Sequence, residues 1–168
     1  IRPSVSNRTG SNWDDSKFVQ KYTGSDDAIR ITSDNVTIED LQIDHAGSGS
    51  VKAAVIVFSE NCTVSSCIIR GISHTGDPVG IRVDTEALTV ENCFIYGFRA
   101  TTTFGIGLFS NNSNPVINAY NNTILDCSEA IRANSGATVN MFNNIIQDSG
   151  DSLANAGTFT GSNNITQD

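Results

Sequence analysis

Three carboxylates recur at a fixed interval in this sequence: Asp34, Glu60 and Glu86 stand 26 residues apart. If the chain repeats its structure at that interval, they form a column. Carboxylates stacked at the strand spacing of about 4.8 Å repel one another. Such a column can raise the pKa of one member, hold a Ca²⁺ ion, or simply extend into water from a turn. The spacing also meets the requirement of a retaining glycosidase, two carboxyls about 5 Å apart, although any stacked acidic turn would meet it. A member titrating near neutrality would mark the enzymatic case.

A second group lies just before this column in each interval. Arg30, Ile56, Arg82, Gly107 and Arg132 form one outward line, and Thr32, Phe58, Asp84, Phe109 and Asn134 the next. From these, Arg82, Asp84, Phe58, Phe109 and Arg30 make a sugar-contacting patch, since phenyl rings stack on sugar faces while guanidinium and carboxylate groups bond to hydroxyls. The plainer reading is a solvated sheet face. His45 and His74 fall in loops and lack a nucleophile partner. Cys62, Cys67, Cys93 and Cys127 form no CxxC pair and match no zinc spacing. No catalytic residue, resident cofactor or metal centre is therefore assigned, the acidic column being the one place where Ca²⁺ would fit.

The elements that position these groups follow from a repeat. Five segments share one pattern: AIRITSDNVTIEDLQI from Ala28, AVIVFSENCTVSSCII from Ala54, GIRVDTEALTVENCFI from Gly80, GIGLFSNNSNPVINAYNNTI from Gly105 and AIRANSGATVNMFNNII from Ala130. Within each, apolar residues alternate, as Ile29 with Ile31, Val55 with Val57, Ile81 with Val83, and Ile106 with Leu108. Alternation of period two means strand. A second strand carries Val36 and Ile38, a third Leu41 and Ile43. The two-residue corners between them, Glu39-Asp40, Ser65-Ser66 and Glu91-Asn92, are too short for a hairpin that keeps both apolar pairs inside, so they bend the chain from one sheet to the next.

The fold expected is all-β: a right-handed parallel β-helix, or solenoid, of about five to six coils with three strands per coil, its hand set by the crossover rule. Residues 27–168 form the repeat domain. Residues 1–26 comprise the end of a preceding coil, Ile1 to Pro3, and a long loop bearing Trp13, Phe18 and Tyr22. In this register Leu41, Cys67, Cys93, Asn122 and Asn144 share a column, and so do Val36, Cys62, Leu88 and Val139. Cys127 falls with Ala46 and Ile72. All four cysteines then face the core, and Asn122 and Asn144 begin an amide ladder.

The columns and the phrases DNVTIEDLQI, LTVENCFI, NNTI and NNII resemble the pectin-lyase-like β-helix superfamily, over roughly Ala28 to Ile146. The resemblance is specific for fold. It covers polysaccharide lyases, glycoside hydrolases, phage tailspikes and adhesins, so it leaves activity open. The polygalacturonase-like signature of NTD, groove-facing DD, GHG and RIK is absent, and the pectate-lyase-like calcium cluster does not map onto these residues.

Composition narrows the partners. The chain has 38% hydrophobic and 17% charged residues, and Asn, Ser, Thr and Gly fill the difference, which suits strands and turns. A net charge of −8 without any basic run disfavours nucleic acid and anionic membrane surfaces. No segment is apolar enough over the length of a bilayer span. The function expected is a non-catalytic structural and binding module of a virion appendage, capsid decoration or cell-surface adhesin, outside the cell and in contact with glycans. The alternative is a fragment of a polysaccharide lyase or glycoside hydrolase. The partners expected are the rest of a longer polypeptide or symmetry mates in an assembly, and polysaccharide.

Overall fold

Short apolar alternations separated by Asn, Asp and Ser corners leave each strand one way to satisfy its backbone: pairing with the strand one repeat away. The computed structural model describes residues 19–72, 75–84, 87–100, 104–112, 114–154 and 157–167. Every strand pairing among them is parallel.

After β1 (Val19–Tyr22), six successive strand triplets form the rungs of a β-solenoid. They are β2 (Ile29–Ile31), β3 (Thr37–Glu39) and β4 (Gln42–His45); β5 (Lys52–Val57), β6 (Cys62–Ser65) and β7 (Ile68–Gly71); and β8 (Pro78–Val83), β9 (Ala87–Glu91) and β10 (Phe94–Tyr96). Then follow β11 (Ile106–Ser110), β12 (Val116–Tyr120) and β13 (Thr123–Leu125); β14 (Glu129–Ala133), β15 (Thr138–Phe142) and β16 (Ile145–Gln147); and β17 (Asp151–Ala154), β18 (Thr158–Ser162) and β19 (Ile165–Thr166). First, second and third strands build three separate sheets, and β1 extends the third below β4. The all-β, three-strand solenoid expected from the repeat is what forms.

The core fills the space between the sheets. Ile43, Ile69, Ile95, Ile124 and Ile146 stack through the third sheet, and Ile38, Val64, Val90 and Ala119 through the second, all fully buried. Each such aliphatic side chain contributes about 1.5–3 kcal/mol by leaving water. All four cysteines are buried and free, in the columns the register assigns them. Burial pushes the Cys127 thiol up to about 12 and the Cys93 thiol well above its ordinary value, because a thiolate there would lose its water.

The corner between second and third strands is the most regular feature. Its second residue is Asp40, Ser66, Asn92, Asn121, Asn143 or Asn163, each at a left-handed φ between 53° and 59°. Asn and Asp tolerate that conformation where most L-residues resist it. Behind the corner, the amide ladder extends one rung further than expected, through Asn164. Asn122 Oδ1 accepts the Cys93 N–H at 2.9 Å, while Asn122 Nδ2 donates to Val90 O at 2.9 Å and to Asn144 Oδ1 at 3.1 Å. Asn144 Nδ2 donates in turn to Ala119 O and Asn164 Oδ1. Each amide thus satisfies backbone groups that the bend takes out of the strand ladder.

The structure corrects the expected register in four places. Strand β11 is shifted by two residues: Phe109 pairs with Arg82 and Arg132, Leu108 with Ile81, and Ile106 with Val79. Period two hides such a slip, because shifting by two keeps each side chain on its face. Second, Ile106 does not join the main core. The first strands bend at a column of small residues, Ala54, Gly80, Gly107 and Ala130, and residues before the bend turn outward. A Cβ on Gly80 would approach the Gly107 carbonyl oxygen to 2.5 Å and Ile95 Cγ2 to 2.8 Å, so the bend requires residues this small. Third, β1 lies inside the segment read as loop. Gln20 stands opposite the core residue Ile43, and that polar residue breaks the alternation that would have revealed the strand. Fourth, His45 is not in a loop. It ends β4, fully buried, with its ring stacked on Tyr22 at 5.8 Å. His74, Trp13, Phe18 and Ile1 to Pro3 lie outside the described residues.

Candidate functional site

The outward face of the first-strand sheet carries the proposed sugar patch, and the bend decides its character. Residues just before the bend point outward beside those just after it, giving a second apolar layer of Ala53, Ile56, Val79, Ile106 and Phe109, with Val51, Phe58 and Phe104 packed against it. Phe109 belongs to this layer and is only 5% exposed. Its ring is therefore a packing element, not an open stacking surface. Phe58 sits nearer the surface, with the Arg30 guanidinium 4.7 Å from its ring centroid, a cation–π contact.

The charged members are paired on the spot. Arg82 donates from Nε and Nη2 to both oxygens of Asp84, each at 2.7 Å, and from Nη1 to the Val51 carbonyl at 3.1 Å. Such a two-pronged pair is among the stronger charge-assisted contacts. Arg30 donates to Asp27 Oδ2 at 2.9 Å, and the other oxygen of Asp27 accepts the Ala53 N–H at 3.0 Å. Val51, whose carbonyl receives Arg82, is a β-branched residue at φ 51°, a conformation that costs about 1–3 kcal/mol.

The acidic column resolves into a turn. Asp34 and Glu60 are exposed, and Asp34 Oδ1 accepts the Glu60 backbone N–H at 2.9 Å, while Asn35 N–H donates to Glu60 O at 3.0 Å. These contacts tie two rungs together. Glu86 lies outside the described residues. Among the described residues, no group of three or more His, Cys, Asp or Glu side chains is gathered to hold a metal ion.

Sequence reasoning did not find a cluster two rungs above Arg82. Glu129 and Arg132 lie on β14, their side chains 2.9 Å apart, each less than one-fifth exposed. The Arg132 guanidinium covers the Phe104 ring at 3.9 Å. Asp151 is the partner of Glu129 on the next rung. Burial raises the Glu129 pKa, Asp151 adds to the rise, and Arg132 opposes it. The signal available was the repetition of acid, two or three residues, then arginine: Asp27 with Arg30, and Glu129 with Arg132.

No known protein family, curated protein or solved structure matches this chain.

Proposed function

We propose that this chain is a non-catalytic structural and binding module: a β-solenoid of the pectin-lyase-like kind, serving outside the cell as part of a virion appendage, capsid decoration or cell-surface adhesin and contacting glycans along its side. The observation that carries this reading is the use made of the acids. Asp27, Asp34, Asp44 and Asp84 each accept a backbone N–H or an arginine as a tie within a rung or between rungs. Groups so engaged serve the stack. A general acid or base instead needs a free oxygen facing substrate.

The test is incubation with mixed polysaccharides, followed by assays for new reducing ends and unsaturated products, with co-sedimentation as the binding readout. Co-sedimentation without product is expected. Product formation would overturn the reading in favour of a lyase or hydrolase fragment, and Glu129 with Asp151 would then be the pair to replace first.

A further inference from the structure

The column that the asparagines tie from Asn122 onward holds two thiols directly before it. Cys67 and Cys93 each follow the left-handed corner residue of their rung, Ser66 and Asn92. They stand opposite one another in adjacent rungs. The residues after them, Ile68 and Phe94, are strand partners, and the Phe94 N–H donates to the Cys67 carbonyl at 2.9 Å. Parallel neighbours so paired have Cα atoms about 4.8 Å apart, inside the span of about 4.4–6.8 Å that disulfide bonds occupy.

Both side chains are buried in the core, and their sulfurs converge on one stretch of rung two. Cys93 Sγ reaches down to the Val64 carbonyl at 3.5 Å, and Cys67 Sγ donates to the Ser65 carbonyl, one residue along, at 3.2 Å. The two thiols lie near enough to act on each other's protons. The other cysteines have no such neighbour. Cys62 is paired in the next rung with Leu88, and the Cys127 N–H meets Ser149 Oγ. Above the two thiols the column is tied by side-chain amides, the lowest tie running from Asn122 Oδ1 to the Cys93 N–H at 2.9 Å. Below Cys93 no asparagine continues it.

We propose that Cys67 and Cys93 are a disulfide-forming pair, whose oxidation staples rung two to rung three and carries the tie of the asparagine column one rung further down. The oxidant is a small-molecule disulfide. One cysteine thiolate attacks it, forming a mixed disulfide and expelling one small thiolate; the second cysteine thiolate attacks the mixed disulfide at the protein sulfur and expels the other. The expelled thiolates take up the two protons that the cysteines lose, so two cysteine thiols are oxidised as one external disulfide is reduced. In the finished rod a thiolate at Cys93 is disfavoured by burial. The reaction therefore belongs to folding, before rung three closes over rung two, or to a local opening of that step. Once made, the bond is sheltered from reductants by the same packing. The inference does not depend on glycan contact.

The test refolds the whole chain from denaturant in a buffer of oxidised and reduced glutathione. Free thiols are alkylated, and the bonds are mapped by proteolysis and mass spectrometry. One bond, Cys67 to Cys93, is expected, with Cys62 and Cys127 alkylated only after denaturation. The oxidised chain should melt about 5–10 °C above the reduced chain, and Cys93→Ser should lose both the bond and that difference. The bond map is read on the parent chain, so it decides the matter even where Cys93→Ser folds poorly. Four free thiols after oxidative refolding, a mixture of pairings that includes Cys62 or Cys127, or an oxidised chain that melts at or below the reduced one would each overturn the proposal. None of these outcomes bears on co-sedimentation with polysaccharide, so the two readings fail separately.

Discussion

Asn144 is buried and bonded to backbone groups of the rung below, and its neighbours make its contribution measurable. Its oxygen serves the Asn122 N–H and amide, and its own amide serves the Ala119 carbonyl. Asn144→Leu, which keeps the branched shape but is bulkier and has no polar atoms, strands these groups in the core. It should cost about 2–4 kcal/mol, more than one ordinary hydrogen bond because the groups left behind stay desolvated. Urea denaturation of parent and variant measures it, and a loss under about 1 kcal/mol would mean that water replaces the amide. Glu129 gives a residue-level dependence on pH. Its pKa is higher in the folded chain than the ordinary value of 4.5, so the folded state holds its proton more firmly. The stability this group contributes is fully present below about 4.5 and is lost as pH rises through its folded pKa. Glu129→Gln should therefore flatten the fall in urea midpoint between pH 4.5 and neutrality. An unchanged slope would assign that fall to other groups.

At the scale of the strands, the bend in the first sheet separates what was legible in the sequence from what was not. Ile29 with Ile31, Val55 with Val57, and the closing isoleucines revealed the strands and the core because the first-strand alternation survives in rungs one to three and the closing isoleucine in rungs one to five. The corners were legible too, since Asp40, Asn92 and Asn121 advertise a left-handed residue. The bend was not. Ala54, Gly80, Gly107 and Ala130 form a column of missing side chains, which leaves no apolar signal and lets two consecutive residues face inward. Hence Ile106 and Phe109 were placed correctly as strand but two residues out of register, and Ile106 in the wrong layer. The candidate patch failed to read for the same reason: pairing of Arg82 with Asp84 is local and could be guessed, while burial of Phe109 depends on a layer that only the bend creates. Gly107→Val tests this account. A Cβ there meets the Ala130 carbonyl oxygen and Ile124 Cγ2 at 2.7 Å, so the variant should lose at least about 1–3 kcal/mol, read as a lower thermal midpoint. A neutral result would mean the strand can straighten.

For the molecule as a whole, strand pairing joins each rung only to the rungs beside it, so stability is close to a sum of neighbouring contacts, with Arg99 reaching past one rung to the Asp148 carbonyl. Rungs two to five have neighbours on both sides and bury their closing isoleucines, Ile69, Ile95, Ile124 and Ile146, fully, whereas rung six exposes Leu153 and Ile165. Amide hydrogen exchange should grade along the axis, slowest for the Ile69 and Ile95 amides and fastest for those of β18 and β19. Uniform protection from end to end would mean that the rod opens only as one unit. The parallel pairing of successive rungs has a mechanical consequence. Their hydrogen bonds point along the rod, and the chain climbs it turn by turn. Tension applied between the two ends of the polypeptide therefore loads only the bonds of an outermost turn, which break in succession like the teeth of a zipper. They do not resist together, as they would in shear. Pulled in a force-measuring trap, the molecule should yield in a staircase of low-force steps. Each step releases one turn of 20 to 29 residues, the offsets between paired positions along the chain, or about 70–100 Å of extended backbone. The same object compressed or bent across its axis would behave as a stiff strut.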